Sequence, residues 1–301
     1  MDYLWVYITI FAALFQVIRV ALQKNLNQKL SSTATTAVRY IFGLPFILAY
    51  FIYLKSLGYQ ISFINNHFLF LCFVAGFFQI VATILLVKIF SYRNFAIGIT
   101  YSNTEALQTI ILGFFLFAET VAFIGIIAII IGTLGILIIS LTENKLNFPN
   151  LFSSITSKSA IMGLSSGATF AICALSIREA SLSLEGSNFM IISATTLITT
   201  LTMQIFMMLI YLAFRQKHEL RKITKNLKLS LLVGLTSAIG SIGWFSAMTL
   251  QKAAYIKTVG QIQLIFALFI SKKLYKEKQN PKELIGIALI ALSILVLINK
   301  A

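Results

Sequence analysis

Residues 90–119 read F-S-Y-R-N-F-A-I-G-I-T-Y-S-N-T-E-A-L-Q-T-I-I-L-G-F-F-L-F-A-E, and their reading decides that of the whole chain. From Phe95 to Phe117 the stretch is long and apolar enough for a helix that crosses a bilayer, which needs about 20 residues. Its middle nevertheless holds a carboxylate, Glu105, together with Tyr101, Gln108 and several hydroxyls. An ionised carboxylate at that depth costs roughly 2.5–3.5 kcal/mol on insertion scales, so it is expected to face the interior of a helix bundle.

Composition extends this reading to the full 301 residues, which are 58% hydrophobic, only 11% charged, and have a mean hydropathy of +0.91. A soluble chain carries about 25% charged residues. The barrel alternation is absent, which leaves an all-α integral membrane protein. M-D-Y-L-W-V at the start lacks the basic lead-in of a signal peptide and reads as the beginning of the first span. Hydropathy predicts ten transmembrane helices over 4–23, 34–54, 67–89, 95–117, 121–141, 159–178, 188–213, 228–250, 253–271 and 283–299. Residues 142–158 read as a polar linker at the midpoint, and 215–228 as a strongly basic connection.

The midpoint linker points to an internal repeat. Residues 90–119 align without gaps onto 248–277, with Ala96/Ala254, Thr100/Thr258, Leu116/Leu274 and Glu119/Glu277 identical. An I-G-I follows each copy, at Ile124-Gly125-Ile126 and Ile285-Gly286-Ile287. Five spans per copy is an odd number, so the second copy enters the membrane from the opposite side. The expectation is two inverted five-helix repeats, 1–145 and 159–301, joined by 146–158, an arrangement of secondary transporters with the substrate near the midplane.

The segment F-F-L-F-A-E-T-V-A-F-I-G-I-I-A-I-I-I-G-T-L-G (114–135) resembles a pattern of the drug/metabolite transporter superfamily, specifically its EamA-like members. There an apolar run ends on Glu, turns, and enters a Gly-rich helix. Arg39, in T-A-V-R-Y, matches the family's arginine in the second span. The likeness covers nearly the whole chain. It departs where the proline usual in the spans equivalent to 95–117 and 253–271 is missing, and where Glu277 stands in a Lys-rich K-K-L-Y-K-E. The resemblance implies ten helices in two repeats and transport of an amino acid or other small metabolite.

Polar residues inside the predicted spans are the candidate substrate or ion sites. Tyr101, Glu105 and Gln108 share one helical face at 3.6 residues per turn. Glu105 reads either as the binder of a proton or cationic group, or as a structural carboxylate held by Lys or Arg on another helix. Lys257 and Gln261 share a face in the ninth span. Lys257 snorkels to the interface in one reading; in the other it partners Glu105 or a substrate carboxylate, and the two charges together match a zwitterion. Gln16 and Arg19 on the first span either line a cavity mouth or mark a helix emerging into the interface, and Arg39 reads as an interface anchor. Gln79, Tyr255 and Trp244 complete the candidate set, each with a packing role as its alternative. Gly125, Ala128, Gly132 and Gly135 read as a close-packing face.

Other chemistry is not supported. G-L-S-S-G (163–167) fits a hydrolase elbow formally, but it lies inside a predicted membrane helix, and the two histidines, His67 and His218, fall at or beyond helix ends. There is no H-E-x-x-H, P-loop or paired-Asp motif. Cys72 and Cys173 sit in apolar runs and imply neither disulfide nor metal site. No enzyme activity and no cofactor are expected. The net charge of +15 comes largely from Lys- and Arg-rich connections rather than from a nucleic-acid surface. Those connections are expected in the cytoplasm, with both termini outside.

The reading is a secondary carrier of the bacterial inner membrane, a monomer or homodimer, moving a small polar metabolite by alternating access with proton coupling through Glu105. Its partners are the substrate, protons and membrane lipid. A lipid or lipid-linked headgroup flippase and a non-transporting membrane subunit are the alternatives.

Overall fold

The computed structural model describes residues 3–61, 64–89, 95–143, 148–275 and 281–300. The chain begins with α1 (Leu4–Asn27), α2 (Ser32–Ile41), α3 (Leu44–Ser56), α4 (Asn66–Ile89), α5 (Phe95–Ser102), α6 (Glu105–Phe117) and α7 (Phe123–Glu143). It continues through the short α8 (Phe148–Ser153), then α9 (Lys158–Leu182), α10 (Phe189–Arg215), α11 (Lys217–Lys225) and α12 (Leu227–Leu250). The last helices are α13 (Ala253–Gly260), α14 (Ile262–Tyr275) and α15 (Pro281–Lys300). Among the described residues, eight stretches, one of them the α2–α3 pair, are long and apolar enough to cross a membrane. The protein is an all-helical integral membrane protein.

Three spans expected as continuous helices are broken. Between α2 and α3 the cause is Pro45, whose ring clashes with the carbonyl four residues back and which sits in the first turn of α3. The breaks between α5 and α6 and between α13 and α14 contain no proline. In the first, Ser102-Asn103-Thr104 supplies side chains that compete for backbone hydrogen bonds, and Thr104 N–H donates to the Tyr101 carbonyl at 3.1 Å. In the second, Gln261 N–H donates to Thr258 at 3.1 Å. Both turns tighten to a three-residue bond.

Under the gapless sequence alignment, α5 and α13 coincide end to end: Phe95 falls on Ala253 and Ser102 on Gly260. The broken helix therefore recurs at the same place in both sequence copies. Glu277 and residues 90–94 of that alignment lie outside the described residues, as do 144–147 of the midpoint linker. The rest of the linker is partly helical, through α8, and the basic connection holds α11.

Packing divides the residues into two units, each drawn from both sequence copies. One comprises Met1–Val6, Phe78–Leu175 and Gln251–Ala301, the other Tyr7–Phe77 and Ser176–Leu250. In the first, α7 crosses α15 with glycines at the contact. A Cβ on Gly135 would stand 2.7 Å from the Gly286 carbonyl oxygen, and one on Gly286 would stand 2.7 Å from that of Gly135. Nearby, Ser293 Oγ donates to the Ala128 carbonyl at 2.7 Å. Thr100 and Ser140 join α5 to α7 through their hydroxyls, 2.7 Å apart. Such small-residue faces are how helices approach closely where no hydrophobic effect drives them together.

In the second unit, α12 packs on α2, α3 and α10. Gly234 admits the backbone of Phe42, at the α2–α3 break, to within 2.4 Å of where its Cβ would stand. Gly243 likewise meets Ala12 of α1, and Ser193 and Ser246 hydroxyls pair across α10 and α12 at 3.0 Å. The basic connection is anchored by its one acid. Buried Glu219 of α11 accepts from the Ser31 backbone N–H at 2.8 Å and from Lys222 Nζ at 2.6 Å, with His218 Nε2 at 3.1 Å. Ser31 in turn caps α2, its hydroxyl accepting from Ala34 N–H.

Candidate functional site

Glu105 is the first residue of α6, directly after the break, and Lys257 lies in the last turn of α13, directly before the other break. Each charge therefore sits at the helix end whose dipole favours it: the acid at an N-terminus, the cation at a C-terminus. The two helices pack together within the first unit, and Lys257 Nζ stands 2.5 Å from Glu105 Oε1. Nζ also lies 5.9 Å from the centroid of Phe170 on α9, within range of a cation–π contact. The pair is not sealed by packing: 24% of the Glu105 side chain and 19% of the Lys257 side chain remain accessible.

The polar residues around Glu105 hold the break in shape. Gln108 Nε2 donates to Thr104 Oγ1 at 2.8 Å, and Thr104 Oγ1 donates to the Tyr101 carbonyl at 2.7 Å. Thr109 Oγ1 donates to the Glu105 carbonyl at 2.8 Å. Gln108 also lies over Gly167 of α9, where a Cβ would come within 2.7 Å of its Nε2.

The expected face of Tyr101, Glu105 and Gln108 is split by the break. Tyr101 lies in the last turn of α5 instead of continuing the helix of Glu105, and its hydroxyl donates to the Leu151 carbonyl of α8 at 2.9 Å. Its ring packs with Ile97, Leu141 and Ala160. Gln261 is the turn residue between α13 and α14; its side chain is buried against Gly132 and Ser293, with no hydrogen-bond partner among the described residues. Tyr255 is buried beside Gly125, its hydroxyl accepting from Ala122 N–H at 3.4 Å. Gln79 is half-buried on α4, its carbonyl accepting from Thr83.

The remaining candidates belong to the second unit. Trp244 Nε1 donates to Gln16 Oε1 at 3.0 Å, linking α12 to α1. Arg19, on α1, is buried. Thr104 and Phe170 were not singled out by sequence. Three consecutive turn-forming residues, 102–104, inside an apolar run were the available signal for Thr104; an aromatic among many gave none for Phe170.

The sequence profile of the EamA-like transporter family matches residues 3–141 and again 157–299. The chain belongs to this family. Its two EamA-like copies correspond to the two halves in which the broken helix recurs, and members of the family are membrane transporters. Among solved structures, 28 chains match. One crystal structure of a protein covers 95% of this EamA-like chain and 97% of its own, at 13% identity and a TM-score of 0.62, which is a likeness of fold. No curated protein matches.

Proposed function

We propose that this EamA-like protein is a secondary carrier for a small polar metabolite, with the Glu105–Lys257 pair as the element that binds substrate and couples its movement to protons. The observation that carries the reading is the pairing itself. One acid and one base, each at a helix interruption in a different sequence copy, meet in apolar segments and stay partly accessible. Lipid is a poor neighbour for such an ion pair, so its open side suits water or a ligand.

The exchange follows from charge balance. An ion pair taken out of water must keep both members compensated. A zwitterion such as an amino acid does this by insertion, its carboxylate taking Lys257 and its ammonium taking Glu105. Protonation of Glu105 breaks the pair by the other route and leaves Lys257 for an anionic group. Broken helices whose ends point at charged ligands are a recurrent device of alternating-access carriers.

The wider frame of the proposal is two inverted five-helix repeats, 1–145 and 159–301, giving ten spans in a bacterial inner membrane, with the basic connections in the cytoplasm. The matching broken helices and the two family matches support it. The test is transport by purified protein in liposomes, screened with amino acids, nucleosides, sugars and organic cations under an imposed pH gradient. Saturable uptake that Glu105→Gln abolishes or uncouples from the gradient is the expected result. Transport by Glu105→Gln equal to that of the unaltered protein, or movement of labelled lipid alone, overturns it.

A further inference from the structure

The second packing unit contains two arginines that the ion pair does not use. Arg19 is in the interior of α1 and only 8% exposed. Arg39 is in the last turn of α2, half-buried, with its Cζ 5.1 Å from the Tyr40 ring centroid. The turn 28–31 connects the two helices. Arg19 lies eight residues before the end of α1 and Arg39 seven after the start of α2, so each is about 10–12 Å along its helix from that turn. They occupy the same level. Arg39 is also the charged group that acts electrostatically on Arg19.

Neither guanidinium is satisfied. The Nε atoms of both are buried and without a hydrogen-bond partner, and among the described residues neither side chain has a carboxylate partner. Glu219, the acid that meets the start of α2 at Ser31, is already taken by Ser31, Lys222 and His218. The dipole at the C-terminus of α2 favours the charge of Arg39, but it fills none of its five donors. Two like charges at one level, one buried and one half-buried, each with its Nε unfilled, suit an acceptor with two or more oxygens.

We propose that Arg19 and Arg39 form a binding site for an oxyanion, a phosphate or carboxylate group carried by a small solute or by an anionic lipid. The two forks would take its oxygens bidentately, as guanidinium does better than ammonium. The site is independent of the Glu105–Lys257 reading: it is measured as binding, and loss of transport or its persistence in Glu105→Gln does not bear on it.

The test uses full-length protein in nanodiscs of phosphatidylcholine alone. Inorganic phosphate and succinate are titrated while the unfolding midpoint is followed, and phosphatidylglycerol is introduced in a separate series. Stabilisation by phosphate or succinate assigns the site to a solute group, and stabilisation by phosphatidylglycerol alone assigns it to lipid. In either case Arg39→Gln weakens the effect about tenfold or more. Should Arg19→Gln or Arg39→Gln fail to fold, modification of the native protein by phenylglyoxal replaces them, and the effective probe should protect both arginines. No stabilisation by any of the three, stabilisation unchanged in Arg39→Gln, or modification unaffected by the probe overturns the proposal.

Discussion

Gly135 and Gly286 form a reciprocal contact: the carbonyl oxygen of each lies 2.7 Å from where the other's Cβ would stand. A carbonyl held in a helix cannot step aside as a side chain can. Gly135→Ala is therefore expected to push α7 and α15 apart and cost about 1–3 kcal/mol. Gly76→Ala meets the Gln204 side chain at 3.1 Å, with the nearest backbone atom, the Thr200 carbonyl oxygen, at 3.5 Å, and should cost much less. Unfolding midpoints of the two variants in one detergent check the ranking.

The Glu105–Lys257 pair predicts a different pattern of losses. Removing either charge strands the other in apolar surroundings. A sealed pair of this kind loses about 3–5 kcal/mol, and partial accessibility reduces this to about 1–3 kcal/mol. Glu105→Gln combined with Lys257→Gln should regain most of that stability, because no lone charge remains. Transport should not return with it. A double-mutant cycle read by unfolding and by uptake separates the two roles.

Glu219 makes the basic connection sensitive to acid. Burial alone pushes its carboxyl up, but the hydrogen bonds from Lys222 and the Ser31 N–H, with the charges of Lys222 and His218, outweigh it and hold the group below its ordinary 4.5. Its contribution is therefore complete above pH 4.5 and is lost as pH falls through the lower folded value. Amide protection at Ser31 and through α11, corrected for the intrinsic pH dependence of exchange, should fall on acidification. Glu219→Gln should bring that loss of protection to neutral pH.

Ala118 closes α6 in the left-handed conformation, φ 50°. That geometry costs a residue with a Cβ about 1–2 kcal/mol, against about 0.5–1 kcal/mol of extra chain entropy for glycine. Ala118→Gly should leave stability unchanged or raise it by up to about 1 kcal/mol, measured as a higher unfolding midpoint.

The positions of the helices were legible because lipid leaves few options: apolar runs of the right length between polar turns are spans. The interruptions at 103–104 and 261 were not, since the strongest breaker, proline, is absent from both. What stood in its place was a hydroxyl and amide pattern that reads equally well as a polar helix face, so Tyr101 was placed on the helix of Glu105 when it belongs to the one before. The α2–α3 break did have a visible cause in Pro45. Lys257 stood out as a cation in an apolar run, but its distance to Glu105 depends on how α6 meets α13, which no local pattern encodes. Trp244 and Gln16, more than two hundred residues apart, meet for the same reason.

The unforced interruptions have a mechanical consequence. Neither stretch contains a pyrrolidine ring to forbid an unbroken helix. What keeps the first elbow bent is a handful of hydroxyl and amide contacts around Thr104, each of about 1 kcal/mol, a scale that thermal agitation samples readily; the second has the backbone bond from Gln261 N–H to Thr258. Zipping one elbow shut would swivel the segment beyond it about its own long axis. The acid and the base that meet at these elbows would then turn with it.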